Sequence, residues 1–320
     1  MRLRRSAPDE PGIRRRRRGR GFSYTDARDR AVADTETLDR IASLTIPPAW
    51  THVWICANLN GHVQATGVDA DGRTQYRYHP RWTAGADREK FARVRLLSGA
   101  MSILRSRVTR DLRSDAPDRR ALAIAVRLID ATGMRLGDER YARERGTIGA
   151  LTLERRHAVV SGTVVRLDFP AKSGVRWTVE ITDSDLASAI RRASRARDSR
   201  VASWRDADSG EHPVRAAALT AYLREATGQP ITAKDLRTLL GSRVAAQSLA
   251  RSGPMTTATE QDARIREAVL EVSLALRNTV AVARSSYIDP RVLERYRRGR
   301  VADLSTGAVS DAALARLIAD

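Results

Sequence analysis

The stretch THVWICANLNGHVQATGVDADGRTQYRYH, residues 51–79, decides the first part of the fold. Residues 51–57, 62–67 and 73–79 carry β-branched or aromatic side chains at a spacing near two, the period of a strand with two distinct faces. Asn-Leu-Asn-Gly at 58–61 and Asp-Ala-Asp-Gly at 69–72 separate them, and both have turn-forming composition. Three strands joined by tight turns are expected. In the last, Gln75, Arg77 and His79 face one way and Tyr76 and Tyr78 the other. Amide, cation and aromatic groups interleaved in this way suit a DNA groove, where Gln reads base edges and Arg holds phosphates. The alternative is an ordinary sheet that packs its aromatic face on the core.

Upstream, residues 1–20 hold nine arginines and two acids, with Arg14 to Arg18 unbroken. Such a block repels itself and is expected to be a disordered basic tail, serving as a non-specific DNA-contacting arm or a targeting signal. Downstream of Trp82 the period becomes helical. Helices are expected over 86–112, 119–129, 185–196, 214–226, 233–250 and 260–277; in the last, Ile265, Val269, Val272 and Leu276 form one apolar stripe. Residues 151–153, 158–161, 164–169 and 175–181 read as a small antiparallel sheet. The fold class is therefore α+β. A basic tail (1–20) precedes a β-rich N-terminal DNA-binding domain (21–84). A mainly helical catalytic domain with a small antiparallel sheet (85–300) follows, then a C-terminal tail (301–320) able to form a short amphipathic helix.

Composition narrows the partner. The 320 residues carry 57 basic and 38 acidic side chains, a net charge of +19, which favours a polyanion such as nucleic acid. The single cysteine, Cys56, excludes an intramolecular disulfide and a cysteine-based zinc site. It lies in an apolar run and reads as a small buried side chain. No apolar run approaches the roughly 20 residues of a membrane span. A soluble, cytoplasmic and nucleoid-associated monomer is expected. Only three of the basic residues are lysines, Lys90, Lys172 and Lys234. Arginine does not release a proton near neutral pH, whereas a lysine's pKa responds to its surroundings, so each lysine is a candidate for proton transfer.

Four segments of the larger domain belong together: Gly133-Met134-Arg135-Leu136-Gly137, Ala171-Lys172-Ser173-Gly174, Lys234-Asp235-Leu236-Arg237-Thr238, and Asn278 with Ser286-Tyr287-Ile288-Asp289-Pro290. In this order and spacing they resemble the type IB DNA topoisomerases, specifically the small poxvirus-like bacterial enzymes. Gly21-Phe22-Ser23-Tyr24, Ile46-Pro47-Pro48-Ala49-Trp50 and Gln75 to His79 resemble that subfamily's N-terminal domain. The likeness spans roughly residues 21–298. It implies that Tyr287 is the nucleophile forming a 3′-phosphotyrosyl bond, and that Arg135 and Arg237 hold the non-bridging phosphate oxygens. It further implies that Asn278 is an active-site residue, that Lys172 protonates the leaving 5′ oxygen, and that Lys234 is auxiliary. Relaxation of supercoiled DNA without metal, ATP or any other cofactor, on duplex DNA enclosed between two domains, is what the resemblance implies.

The residue types fit that chemistry independently. Guanidiniums neutralise the charge that gathers on a phosphodiester under attack. Nearby cations favour ionised tyrosine. A leaving alkoxide needs a proton that lysine can give. A tyrosine recombinase shares this logic but usually has histidine where Lys234 stands, and a helical clamp where residues 51–79 read as strands. A non-enzymatic architectural DNA-binding protein would leave the ordered constellation unexplained.

Overall fold

The computed structural model describes residues 2–193, 199–206, 210–304 and 307–319. The chain forms two compact units, Met1–Glu89 and Lys90–Asp320. The division falls a few residues beyond the expected one at 84/85, inside a helix that the sequence period starts at 86.

The first unit is a five-stranded antiparallel sheet with one helix of its own, and its last residues, 80–89, begin the long helix that continues into the second unit. In chain order it contains β1 (Gly12–Arg18), β2 (Gly21–Thr25), α1 (Thr35–Ser43), β3 (Thr51–Cys56), β4 (Val63–Val68) and β5 (Thr74–Tyr78), and the strand order is β2-β1-β3-β4-β5. Ile13, Ile41, Val53, Ile55 and Ala65 form its buried core. The three strands expected over 51–79 are present.

The arginine run is not a disordered tail. It is an interior strand, paired to β2 and β3 through registers such as Arg14↔Thr25 and Ile13↔Ile55. Alternation resolves the expected self-repulsion, because successive arginines leave on opposite faces and like neighbours on one face sit roughly 7 Å apart. Ile13 supplies apolar burial, and Arg15 spends its charge on protein dipoles. Its guanidinium donates to the carbonyls of Pro47 and Trp50 at 3.0 and 2.6 Å and lies 4.1 Å over the Phe22 ring. Arg16 pairs with Asp29 at 2.9 Å.

The second unit contains most of α2 (Pro80–Arg113), then α3 (Pro117–Thr132), α4 (Glu139–Arg145) and the antiparallel meander β6 (Ala158–Ser161), β7 (Val164–Pro170) and β8 (Arg176–Thr182). There follow α5 (Ser184–Arg192), the short hairpin β9 (Ser203–Arg205) and β10 (Glu211–Pro213), and the helices α6 (Ala216–Thr227), α7 (Ala233–Ser252), α8 (Ala258–Leu276), α9 (Val280–Tyr287), α10 (Pro290–Arg297) and α11 (Asp311–Ile318). The end of the expected 185–196 helix lies outside the described residues. The core includes Leu97, Leu104, Ile124, Leu128, Leu167, Phe169 and Leu236, all nearly inaccessible.

Residues 151–153 do not form the expected strand. Leu151 and Leu153 are buried, but their backbone bonds go singly to separate segments: Leu151 N–H to the Leu136 carbonyl, and the Leu153 carbonyl to the Val201 N–H. The apolar run signalled burial, not pairing. The short amphipathic helix that the C-terminal tail was expected to be able to form is present as α11, which buries Ala313, Leu314 and Ile318. Its first residue, Asp311, joins Arg105 of α2 and Arg243 of α7. Cys56 is buried and free. Among the described residues no helix is long and apolar enough to cross a membrane.

Candidate active site

Arg135 lies just past a helix that ends on glycine. α3 stops at Gly133, whose φ of 65° is in the left-handed region that glycine enters without a steric penalty. A Cβ there would come within 2.7 Å of Leu240 and Leu276 side-chain atoms. The chain then runs past residues 150 and 151, whose N–H groups donate to the Arg135 and Leu136 carbonyls at 2.9 and 2.8 Å. Arg135 is half-buried, and its Nη2 donates to Asn278 Oδ1.

α7 supplies the second arginine. Thr232 and Asp235 form a reciprocal cap at its N-terminus, with the Thr232 N–H and hydroxyl donating to Asp235 Oδ2 at 2.9 and 2.7 Å. Arg93 of α2 adds a 3.3 Å contact to the same buried carboxylate. Two residues further on, Arg237 is only 4% exposed. Its Nη1 donates to the Gly133 carbonyl and its Nη2 to the Leu276 carbonyl at 3.4 Å, while its buried Nε has no hydrogen-bond partner among the described residues. Burial and the like charge of Arg135 push its pKa down, and Tyr287 opposes them. Among the described residues no carboxylate balances this charge.

Tyr287 ends α9, with its ring centroid 5.0 Å from the Arg237 guanidinium and 7% of the residue exposed. α7 also holds its backbone. The Asp289 N–H donates to Ser242 Oγ at 2.9 Å, and that hydroxyl lies 3.5 Å from the Tyr287 carbonyl. Gly241 allows the approach, since a Cβ there would meet the Tyr287 carbonyl oxygen at 2.5 Å. Asp289, fully buried, caps α10 and pairs with Arg291 at 2.7 Å. One helix thus fixes both the tyrosine and the arginine beside it. Burial works to raise the Tyr287 pKa, but the charge and hydrogen bond of Arg237, with the charges of Arg135 and Lys234, outweigh it, and the value falls below the ordinary 10.0.

Asn278 follows a Schellman turn at the end of α8. The Asn278 N–H donates to the Ser273 carbonyl at 3.0 Å and the Arg277 N–H to the Leu274 carbonyl at 3.3 Å, with Arg277 left-handed at φ 51° and ψ 56°. Asn278 Nδ2 is buried without a hydrogen-bond partner among the described residues. Lys172 is exposed in a tight turn between β7 and β8, and lines one pocket with Arg135, Trp177, Leu276 and Arg277. Lys234 is exposed one turn before Arg237, close enough for its charge to act on Tyr287. Arg135, Arg237, Asn278 and Tyr287 therefore form one continuous cluster, Lys234 acts on it electrostatically, and Lys172 reaches it through the Arg135 pocket. The third lysine, Lys90, is buried with its ammonium 4.2 Å over Phe91.

In the first unit the four expected groove contacts divide by face. Gln75 donates to Asp69 at 2.7 Å and Arg77 to the Thr45 carbonyl at 2.8 Å, so both serve the fold. Tyr76 and Tyr78 are stacked 5.8 Å apart and each 45% exposed, so the aromatic face does not pack on the core. Sequence reasoning missed Gly241, Ser242 and Arg277. A glycine inside a helical pattern was the available signal for the first; the other two depend on long-range packing and backbone angles.

Residues 80–303 match the family described as eukaryotic DNA topoisomerase I, catalytic core, and residues 21–69 match that described as bacterial DNA topoisomerase IB, N-terminal domain. DNA topoisomerase 1B of Acanthamoeba polyphaga mimivirus is 30% identical over 293 residues, covering 89% of this chain and 87% of that protein. DNA topoisomerase 1 of Mycosarcoma maydis is 28% identical over 140 residues, 43% of this chain and 13% of that protein. DNA topoisomerase 1 beta of Arabidopsis thaliana is 28% identical over 99 residues, 30% of this chain and 11% of that protein. All six catalytic candidates lie within the matched span 80–303.

Proposed function

The chain belongs to the type IB DNA topoisomerases, a family of isomerases that act on DNA, and from that premise we propose that it relaxes supercoils through a covalent bond to Tyr287. The Tyr287 Oη attacks a backbone phosphorus, the P–O5′ bond breaks, and a 3′-phosphotyrosyl ester and a free 5′-hydroxyl result. The phenolic proton passes to solvent, more readily because the surrounding cations lower the Tyr287 pKa. The leaving oxygen takes a proton from Lys172. Arg135 and Arg237 hold the non-bridging oxygens, Asn278 Nδ2 donates to one of them, and Lys234 adds charge. Rotation of the cut strand removes supercoils, and attack of the 5′-hydroxyl reverses every step. The ester conserves the broken bond, so no nucleotide is spent.

The carrying observation is Arg237. A guanidinium buried to 4% exposure, with an unpartnered Nε and no carboxylate partner among the described residues, is costly unless an anion completes it. A scissile phosphate beside the Tyr287 ring is such an anion, and two guanidiniums meet its charge without a metal ion. A monomer in the cytoplasm, bound to the nucleoid, with both units engaging duplex DNA, completes the proposal; the net charge of +19 and the family's action on DNA support the engagement of DNA.

The test is relaxation of supercoiled plasmid in EDTA without ATP. Ladders of relaxed circles are expected; dependence on added metal or ATP would overturn the metal- and nucleotide-free mechanism, and recombined junctions would favour recombination. A second expectation follows from the packing of α7. Gly241→Ala forces the Tyr287 backbone aside, and an ångström-scale misplacement slows cleavage by about 100-fold. Single-turnover cleavage, with DNA binding as the control, measures it.

A further inference from the structure

Arg277 occupies a backbone conformation that disfavours it. The left-handed region costs a residue with a Cβ about 1–2 kcal/mol relative to its usual conformations, and glycine or asparagine is the usual choice at the end of a Schellman turn. Here an arginine holds it at φ 51° and ψ 56°. The turn itself is required, because it delivers Asn278 to Arg135. The arginine is not required for the turn.

Its surroundings give the strain a purpose. Arg277 is exposed and lines the same pocket as Arg135 and Lys172, and among the described residues no acidic one lines it. Three like charges around one concavity repel one another unless an anion enters. A favourable interaction with the α8 dipole does not explain the placement, since a cation at Leu274 or Ala275 would meet the same carbonyl ends from ordinary helical backbone.

We propose that Arg277 is a further substrate-binding residue, which grips a DNA phosphate flanking the scissile one. This rests on the reading of Tyr287, Arg135 and Lys172 as the reaction centre. The guanidinium forms paired hydrogen bonds to phosphate oxygens and tethers the strand on the side of the pocket shared with Lys172.

Stability and activity should move in opposite directions. Arg277→Gly and Arg277→Asn relieve the backbone and are expected to raise the melting temperature by about 2 °C. Both are expected to slow single-turnover plasmid cleavage by about 10-fold and, in a Tyr287→Phe background that binds without cutting, to reduce the slope of log affinity against log salt by about 1. Arg277→Lys keeps charge and strain, and should keep the parent's slope and melting temperature. Arg266→Gln removes an exposed charge from the middle of α8 and should leave cleavage unchanged. The proposal is overturned if Arg277→Gly and Arg277→Asn cleave and bind like the parent. It is overturned equally if they melt lower, which assigns the guanidinium to the fold, or if Arg266→Gln loses as much activity, which assigns the effect to net charge. None of these results touches the nucleophile, because the parent's relaxation and its loss in Tyr287→Phe are scored separately.

Discussion

Tyr287→Phe is expected to bind DNA as the parent does and to lose plasmid relaxation by at least about 10⁴-fold, the order seen when a nucleophile is removed. The substitution deletes one oxygen, and with it the hydroxyl's hydrogen bond to Arg237, but keeps the packing that holds the ring. The Arg237 guanidinium still lies about 5.0 Å from the ring centroid, and the Ser242 and Gly241 contacts involve only the backbone and Cβ of residue 287, which phenylalanine keeps. The melting temperature should therefore change little. Supercoiled plasmid and a thermal melt run on the same preparation check both parts. Relaxation at the parent's rate would remove Tyr287 from the chemistry.

Lys172→Ala should slow cleavage of a normal strand by about 10²–10⁴-fold, the usual value of a positioned general acid. Replacing the 5′ leaving oxygen by sulfur should restore most of the rate, because a thiolate departs without a proton. Lys172 is exposed in the turn between β7 and β8, so its loss removes no core packing. Rescue separates proton donation from simple charge, since sulfur restores nothing if the ammonium only attracts phosphate. Cleavage rates on matched oxygen- and sulfur-containing duplexes give the answer, and absence of rescue would leave Lys172 a binding residue.

The two halves of the molecule were legible to different degrees. The strands over 51–79 announced themselves because alternation and turn residues act locally. The long helices did so through their apolar stripes. β1 was hidden because five consecutive arginines read as a solvated block, and only its partners, Tyr24 across a tight turn and Ile55 far along the chain, make it a strand. The alternation of Gln75 to Tyr78 could be read, but not which face would be inward. That depends on Asp69, Thr45 and Trp50 gathering around Gln75 and Arg77. For the proposed site, the ordered constellation singled out Arg135, Lys172, Arg237 and Tyr287, and the structure brings both arginines to Tyr287 and Lys172 to the pocket of Arg135. What could not be read was the means of assembly: a glycine-ended α3, Gly241 and Ser242 clasping the Tyr287 backbone, and a left-handed Arg277 presenting Asn278.

The most direct test of the covalent role is to trap the protein on cleaved DNA, digest both components, and identify the residue that carries the nucleotide by mass spectrometry. A 3′-phosphate ester on the peptide containing Tyr287, absent from Tyr287→Phe, is the expected result. An adduct on another residue, or a linkage through a 5′-phosphate, would contradict it.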